Sequence, residues 1–172
     1  MSESLANIAR LAGLGMIAIR ADLARSGAPL AGAVGAPLPE PTQFTVAGAR
    51  MIGWMSPDEL LVTLPADQVA AACAAMETAL GDDHGLVVDV SDMRAVFDII
   101  GPGADQVLAK LSPTDLARLP DTGLRRSRAG QVPVAFWRVP GGFRLIGFRS
   151  VADYLQTVLT NAAMPGSGLA PR

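Results

Sequence analysis

Gly53-Trp54-Met55-Ser56-Pro57-Asp58-Glu59-Leu60-Leu61-Val62 and Phe136-Trp137-Arg138-Val139-Pro140-Gly141-Gly142-Phe143-Arg144-Leu145 share one pattern, their tryptophans 83 residues apart. Each puts a tryptophan on a strand ahead of a proline-bearing turn and a second apolar strand. Each strand pair is followed by a helix, beginning at Ala66-Asp67 or at Val151-Ala152-Asp153. Self-similarity at a fixed spacing decides architecture before any single motif does. The pattern predicts an α+β fold, an internal duplication with mainly antiparallel sheets and flanking helices.

Working outward, the first repeat is expected over residues 16–83 and the second over 84–163, with an N-terminal arm (1–15) and a mobile tail (164–172). In the arm, Leu5, Ile8, Leu11 and Ala12 stand at helical spacing, but the segment is short. Strands are predicted at 17–20, 43–47, 50–55 and 60–64, and again at 86–90, 94–100, 124–128, 131–138 and 143–148. A glycine-interrupted helix is expected near Pro29–Val34. The helix over 66–80 carries Val69, Ala72, Cys73, Met76 and Leu80 on one face. Another follows Gly101-Pro102-Gly103 and ends at Ser112-Pro113. The last aligns Tyr154, Leu155, Val158 and Leu159, with Ser150 as its expected cap.

Composition narrows the function classes. The 172 residues are 50% apolar and 17% charged, enough for one compact body or two fused halves. The 18 Gly and 13 Pro fall between periodic segments and read as turns. A formal net charge of −2 and a pI near 5.3 give no global attraction to nucleic acid or an anionic membrane. One cysteine excludes an internal disulfide, and one histidine excludes the usual multi-histidine metal site. Without a basic leader or an uninterrupted apolar run, a cytoplasmic protein is expected.

Charge is unevenly spread. All but one of the 14 cations are arginine, and seven of those lie between Arg118 and Arg149, where Asp121 is the only acid. Outward-facing strand positions account for such a window most simply. The other reading is a docking surface for an acidic partner, formed by Arg125, Arg126, Arg128, Arg138, Arg144 and Arg149, because the guanidinium fork pairs readily with carboxylates.

No constellation of catalytic residues stands out. Gly101-Pro102-Gly103-Ala104-Asp105-Gln106 occupies the place of a dinucleotide fingerprint but has Gln106 at the third glycine position, an imino acid in the loop and an acid at the helix start. It reads as a structural turn. Cys73 lies on an apolar stripe and reads as core, and His84 as a turn residue. Asp89-Val90-Ser91-Asp92 offers oxygen atoms better suited to turn hydrogen bonds than to a hard cation. Trp54 and Trp137 read as packing, with stacking platforms for a base or a pterin as the alternative. No cofactor or metal site is therefore expected in this chain.

Several motifs occur in order: Trp54 to Leu61, Val88-Asp89-Val90-Ser91-Asp92, Gly101-Pro102-Gly103-Ala104, Leu111-Ser112-Pro113-Thr114-Asp115-Leu116, Val132-Pro133-Val134 through Trp137-Arg138, and Arg149-Ser150-Val151-Ala152-Asp153-Tyr154-Leu155. Together they resemble the gamma subunits of heterotetrameric sarcosine oxidases. Val151 stands where that family tends to have an aromatic residue, and Leu124-Arg125-Arg126 where it tends to have a Gln-Thr pair. The resemblance implies the folate-binding fold of the glycine-cleavage aminomethyltransferase, itself a duplication. It also implies a non-catalytic subunit serving assembly and stability in a complex that oxidatively demethylates sarcosine to glycine, passing formaldehyde to tetrahydrofolate and releasing hydrogen peroxide. FAD, FMN, NAD and tetrahydrofolate are then expected on partner subunits, alpha, beta and delta, with no nucleic acid or membrane as partner. An isolated copy could self-associate as a homodimer. A free-standing tetrahydrofolate-binding or one-carbon transfer protein is the alternative.

Overall fold

The computed structural model describes residues 3–169. Its strands fall into two five-stranded sheets, each belonging to one of two compact units. The first unit spans Gly13–Asp92. The second combines the residues up to Ala12 with those from Met93 onward.

In the first unit, β2 (Leu14–Ala21) leads into α1 (Leu23–Val34), followed by β3 (Phe44–Ala47), β4 (Arg50–Ser56) and β5 (Glu59–Pro65). A 3-10 turn then opens α2 (Val69–Leu80), and β6 (Gly85–Asp89) ends the unit. The sheet order is β3-β4-β5-β2-β6 with every pair antiparallel. Helix α1 begins well before the expected Pro29, because the Asp22 carboxylate accepts a hydrogen bond from the Ala24 N–H and caps its start. It ends as expected at Gly35, whose φ of 81° lets its N–H reach the Ala31 and Gly32 carbonyls. Alternating strand residues Ile17, Ile19, Ile52, Leu60 and Val62 pack with Leu30, Val34, Val69 and Met76 of the helices.

The second unit repeats the plan. β7 (Arg94–Ile100), α3 (Ala104–Leu111), β8 (Leu124–Ala129), β9 (Val132–Val139), β10 (Gly142–Phe148) and α4 (Ala152–Ala162) follow in order. The sheet order is β1-β7-β10-β9-β8, where β1 is Asn7–Leu11. Phe97, Ile99, Phe136, Phe143 and Leu145 pack on one face with Val107 and Leu108 of α3 and Leu155 and Leu159 of α4. Ser150 lies inside a 3-10 turn, Arg149–Val151, and no side chain caps α4, so its expected capping role is not realised.

The fifth strand of each sheet departs from consecutive repeats divided at 83/84. β6, expected to begin the second repeat, pairs instead with β2 of the first sheet. The N-terminal arm, with apolar residues at helical spacing, is a strand: β1 (Asn7–Leu11) pairs along its whole length with β7. The physical reason lies at the end of α4. There the Ala163 carbonyl accepts from the Leu5 N–H at 3.0 Å and from the Ser4 hydroxyl at 2.7 Å, so β1 stands where a strand following α4 would stand. The second unit is thus a circular permutation of the first, closed by the start of the chain.

Residues 164–169 of the expected mobile tail are tied to α3. Lys110 Nζ donates to the Ala162 carbonyl and the Ser167 hydroxyl, and the Leu169 N–H donates to Gln106 Oε1. Residues 170–172 lie outside the described residues.

Candidate functional site

Strand β8 is the one into which sequence packs Arg125, Arg126 and Arg128, and the fold places it at the edge of its sheet. All three side chains are exposed, as is Arg149. Arg125 shares a face with Ser127 and, across the ladder, with Phe136, whereas Arg126 and Arg128 share the opposite face.

Arg138 and Arg144 are used differently. Arg144 makes a bidentate pair with Asp98 on the neighbouring strand, Nε to Oδ1 at 2.7 Å and Nη2 to Oδ2 at 2.9 Å. The hydrogen bonds that Arg144 donates to Asp98 raise the guanidinium pKa further, against the opposing effect of burial. Arg138 lies over the Phe143 ring at 4.8 Å, donates to the Leu116 carbonyl at 2.9 Å and reaches Asp105 Oδ1 at 3.4 Å. Both therefore have structural roles within their own unit. The sequence count missed their partners because Asp98 and Asp105 lie outside the window in sequence and meet it only through the fold.

Two clefts flank this region. One, of about 690 Å³, is lined by Asp105, Gln106, Ser112, Leu116 and Arg138 among others. The second, of about 430 Å³, is lined by Pro113, Thr114, Asp115, Arg118 and Arg125. Arg118 thus joins Arg125, a neighbour that the charge window contained but spacing did not single out. The hydroxyls of Ser112 and Thr114, in the lining of the first cleft, and of Ser127 bond to one another at 3.0–3.3 Å.

A third cleft, of about 650 Å³ in the first unit, holds Arg20, Arg25, Asp58, Asp83 and His84. Both of its arginines are paired with carboxylates. Arg20 bridges Asp58 and Glu59 at 2.9 and 3.1 Å, Arg25 pairs with Asp83, and Ser26 donates to Asp83 at 2.7 Å. The Ser56 hydroxyl and then Arg20 hold the Asp58 carboxyl below its usual range.

The remaining sequence candidates resolve as structure. Gly103 donates its N–H to the Leu5 carbonyl at 2.8 Å, and a Cβ at Gly101 or Gly103 would come within 2.9 Å of the backbone of residues 5–6. These glycines admit the N-terminal segment, which occupies the approach that a pyrophosphate would need. Asp89 Oδ1 accepts from the Ser91 hydroxyl and N–H at 2.6 and 2.9 Å, and both bonds lower its pKa. Ser91 Oγ in turn accepts from the Met16 N–H. Burial, with the charges of Asp89 and Glu77, raises the Cys73 thiol pKa and keeps it protonated. Among the described residues, no group of three or more His, Cys, Asp or Glu is placed to hold a metal ion. No helix among them is long and apolar enough to cross a membrane.

A permuted pair of β-α-β-β-β-α-β units is a fold-level signature, and comparison with known proteins supplies the family. The model of the sarcosine oxidase, gamma subunit family matches residues 20–164. The chain belongs to this family. A sarcosine oxidase subunit gamma from Corynebacterium sp. (strain P-1) is 37% identical over 116 residues, covering 64% of this chain and 56% of that protein. One from Arthrobacter sp. is 36% identical over 117 residues, with the same two coverages. The matched stretch spans little more than half the length of these curated relatives. Among solved structures, a chain of the heterotetrameric sarcosine oxidase from Corynebacterium sp. U-96, in complex with pyrrole 2-carboxylate, superposes with a TM-score of 0.88 at 25% identity. That match covers 100% of this chain and 90% of the other. The glycine cleavage system aminomethyltransferase T of Bartonella henselae shares the fold, with a TM-score of 0.69 at 15% identity over 92% of this chain and 46% of that one. Gamma-family membership and an aminomethyltransferase-like α+β fold therefore agree with the expectations from sequence.

Proposed function

We propose that this chain is the gamma subunit of a heterotetrameric sarcosine oxidase and that it contributes assembly and stability, not catalytic groups. The observation that carries the proposal is the likeness along the whole chain to a chain of a heterotetrameric sarcosine oxidase. The character of its charged side chains supports it. Arg138 and Arg144 are engaged in holding the second unit together, and Asp58 and Asp83 of the first-unit cleft are paired with arginines.

On this reading the partners are alpha, beta and delta subunits, which hold FAD, FMN, NAD and tetrahydrofolate, and the assembly works in the cytoplasm. Oxidative demethylation of sarcosine to glycine proceeds on those partners. This chain supplies a fixed surface against which they are arranged.

The test is omission. Co-expression of the four subunits should yield an active complex that loses thermal stability or yield when this chain is left out. A complex equally active and stable without it, from which the chain never co-purifies, overturns the proposal. Calorimetric titration of the isolated chain with tetrahydrofolate addresses the free-standing folate protein: heat of binding at micromolar ligand would favour that alternative.

A further inference from the structure

Among the described residues, β8 is paired with a strand on one side only. That side pairs with β9 from Leu124↔Trp137 to Ala129↔Val132, closed by the two-residue turn Gly130-Gln131, with Gly130 at φ 60°. A glycine at the first central position with positive φ marks a type II′ turn, and the residues flanking a two-residue turn exchange hydrogen bonds. Alternation then directs the N–H and C=O groups of Ser127 and Arg125 toward β9 and those of Arg126 and Arg128 outward. Pro133, which has no N–H, stands opposite Arg128 in keeping with that alternation.

We propose that this free edge takes up an extended acidic segment of a partner subunit as an added strand. The inference rests on the assembly reading and specifies where and how the partner is held. Backbone groups of Arg126 and Arg128 would give the main-chain bonds, while the arginine side chains select the sequence. An acid on one face of the incoming strand would meet Arg128, and an acid on its other face would meet Arg125. Among the described residues no carboxylate pairs with Arg125 or Arg128, in contrast to Arg138 and Arg144. A second copy of the chain is a poor occupant, because edge-to-edge pairing would set arginine against arginine. The corresponding edge of the first unit, β3, has only four residues, Phe44–Ala47, none of them charged.

The assembled complex provides the test. Hydrogen exchange should slow at residues 124–129 on assembly and remain unchanged at 44–47. The R125E/R128E variant should keep the melting temperature of the isolated chain and bind the partner subunits at least about tenfold more weakly, with the loss largest at low salt. The R125K/R128K variant should retain most of the binding. Unchanged exchange at 124–129 in a complex that forms, or full binding by the reversed variant, overturns the added strand and leaves the assembly role standing. Failure of the unmodified chain to bind any partner overturns both. If the reversed variant unfolds, the exchange measurement on the unmodified complex decides.

Discussion

The hairpins β4–β5 and β9–β10 occupy the same place in their units and carry the same tryptophan in sequence, yet the two rings lie on opposite sides of their sheets. From the turns backward, Ser56 pairs with Glu59 and Val139 with Gly142. The next partners differ: Trp54 stands opposite Leu60, whereas Arg138, not Trp137, stands opposite Phe143. The register of the first hairpin shifts between Trp54 and Ser56, and Met55 is the extra residue. One inserted residue turns every side chain beyond it to the other face. Trp54 therefore packs half-buried with the helix-side core, while Trp137, buried to 3% exposure, lies on the face away from Phe136 and the helices. On the helix side of the second hairpin Arg138 fills the place that Trp54 has in the first, with its guanidinium over Phe143. Equivalent positions in sequence and in space are thus one residue apart, and that offset separates an arginine with a structural role from a tryptophan with one.

The largest expected difference between the hairpins is in truncation. Trp137→Ala should cost about 3–5 kcal/mol, as for other fully buried large aromatics, and Trp54→Ala roughly half of that. Equal losses in chemical denaturation would break the distinction between the two faces. Next come the glycines that admit β1. Gly103→Ala should lose about 2–3 kcal/mol, because its Cβ would meet the Leu5 carbonyl at 2.8 Å. Gly32→Ala in α1 meets nothing within 4 Å and should gain roughly 0.5–1 kcal/mol. A harmless Gly103→Ala would argue against the permuted strand.

The ion pairs of the two units sharpen the contrast further. Asp98→Ala strands the largely buried Arg144 guanidinium and should cost about 1–3 kcal/mol. Asp58→Ala, which removes only the half-exposed partner of Arg20, should leave the denaturation midpoint nearly unchanged. The smallest effect is on the pH profile. The Asp89 carboxyl is depressed by Ser91, so its contribution is present above the ordinary aspartate value near 3.9 and is lost as pH falls through the lower folded value. Asp89→Asn should flatten that acid limb in a urea series. An unchanged limb would assign the depression no part in stability.

Much of this fold is legible in the sequence, for identifiable reasons. The strands of both hairpins are apolar runs on either side of proline-bearing turns, and α2 carries Val69, Ala72 and Met76 at the spacing of one helical face. The strand exchange is not legible. Leu5, Ile8 and Leu11 fit a helix as well as a short strand, and only the bonds to Ala163 and Gly103 decide between them. Nor is the bulge legible, because Met55 looks like any other apolar strand residue. Of the six arginines expected at an interface, Arg138 and Arg144 are tied by partners distant in sequence, which no count within the window could reveal. Arg125 and Arg128 stand exposed on the edge strand β8.

The central claim is that this chain works as one subunit of a larger oxidase. Native mass spectrometry of the material purified through a tag on this chain, after co-expression with the alpha, beta and delta subunits, tests it directly. A single assembly containing each of the four subunits once is the predicted result. Recovery of this chain alone, or only in copies of itself, would contradict the claim.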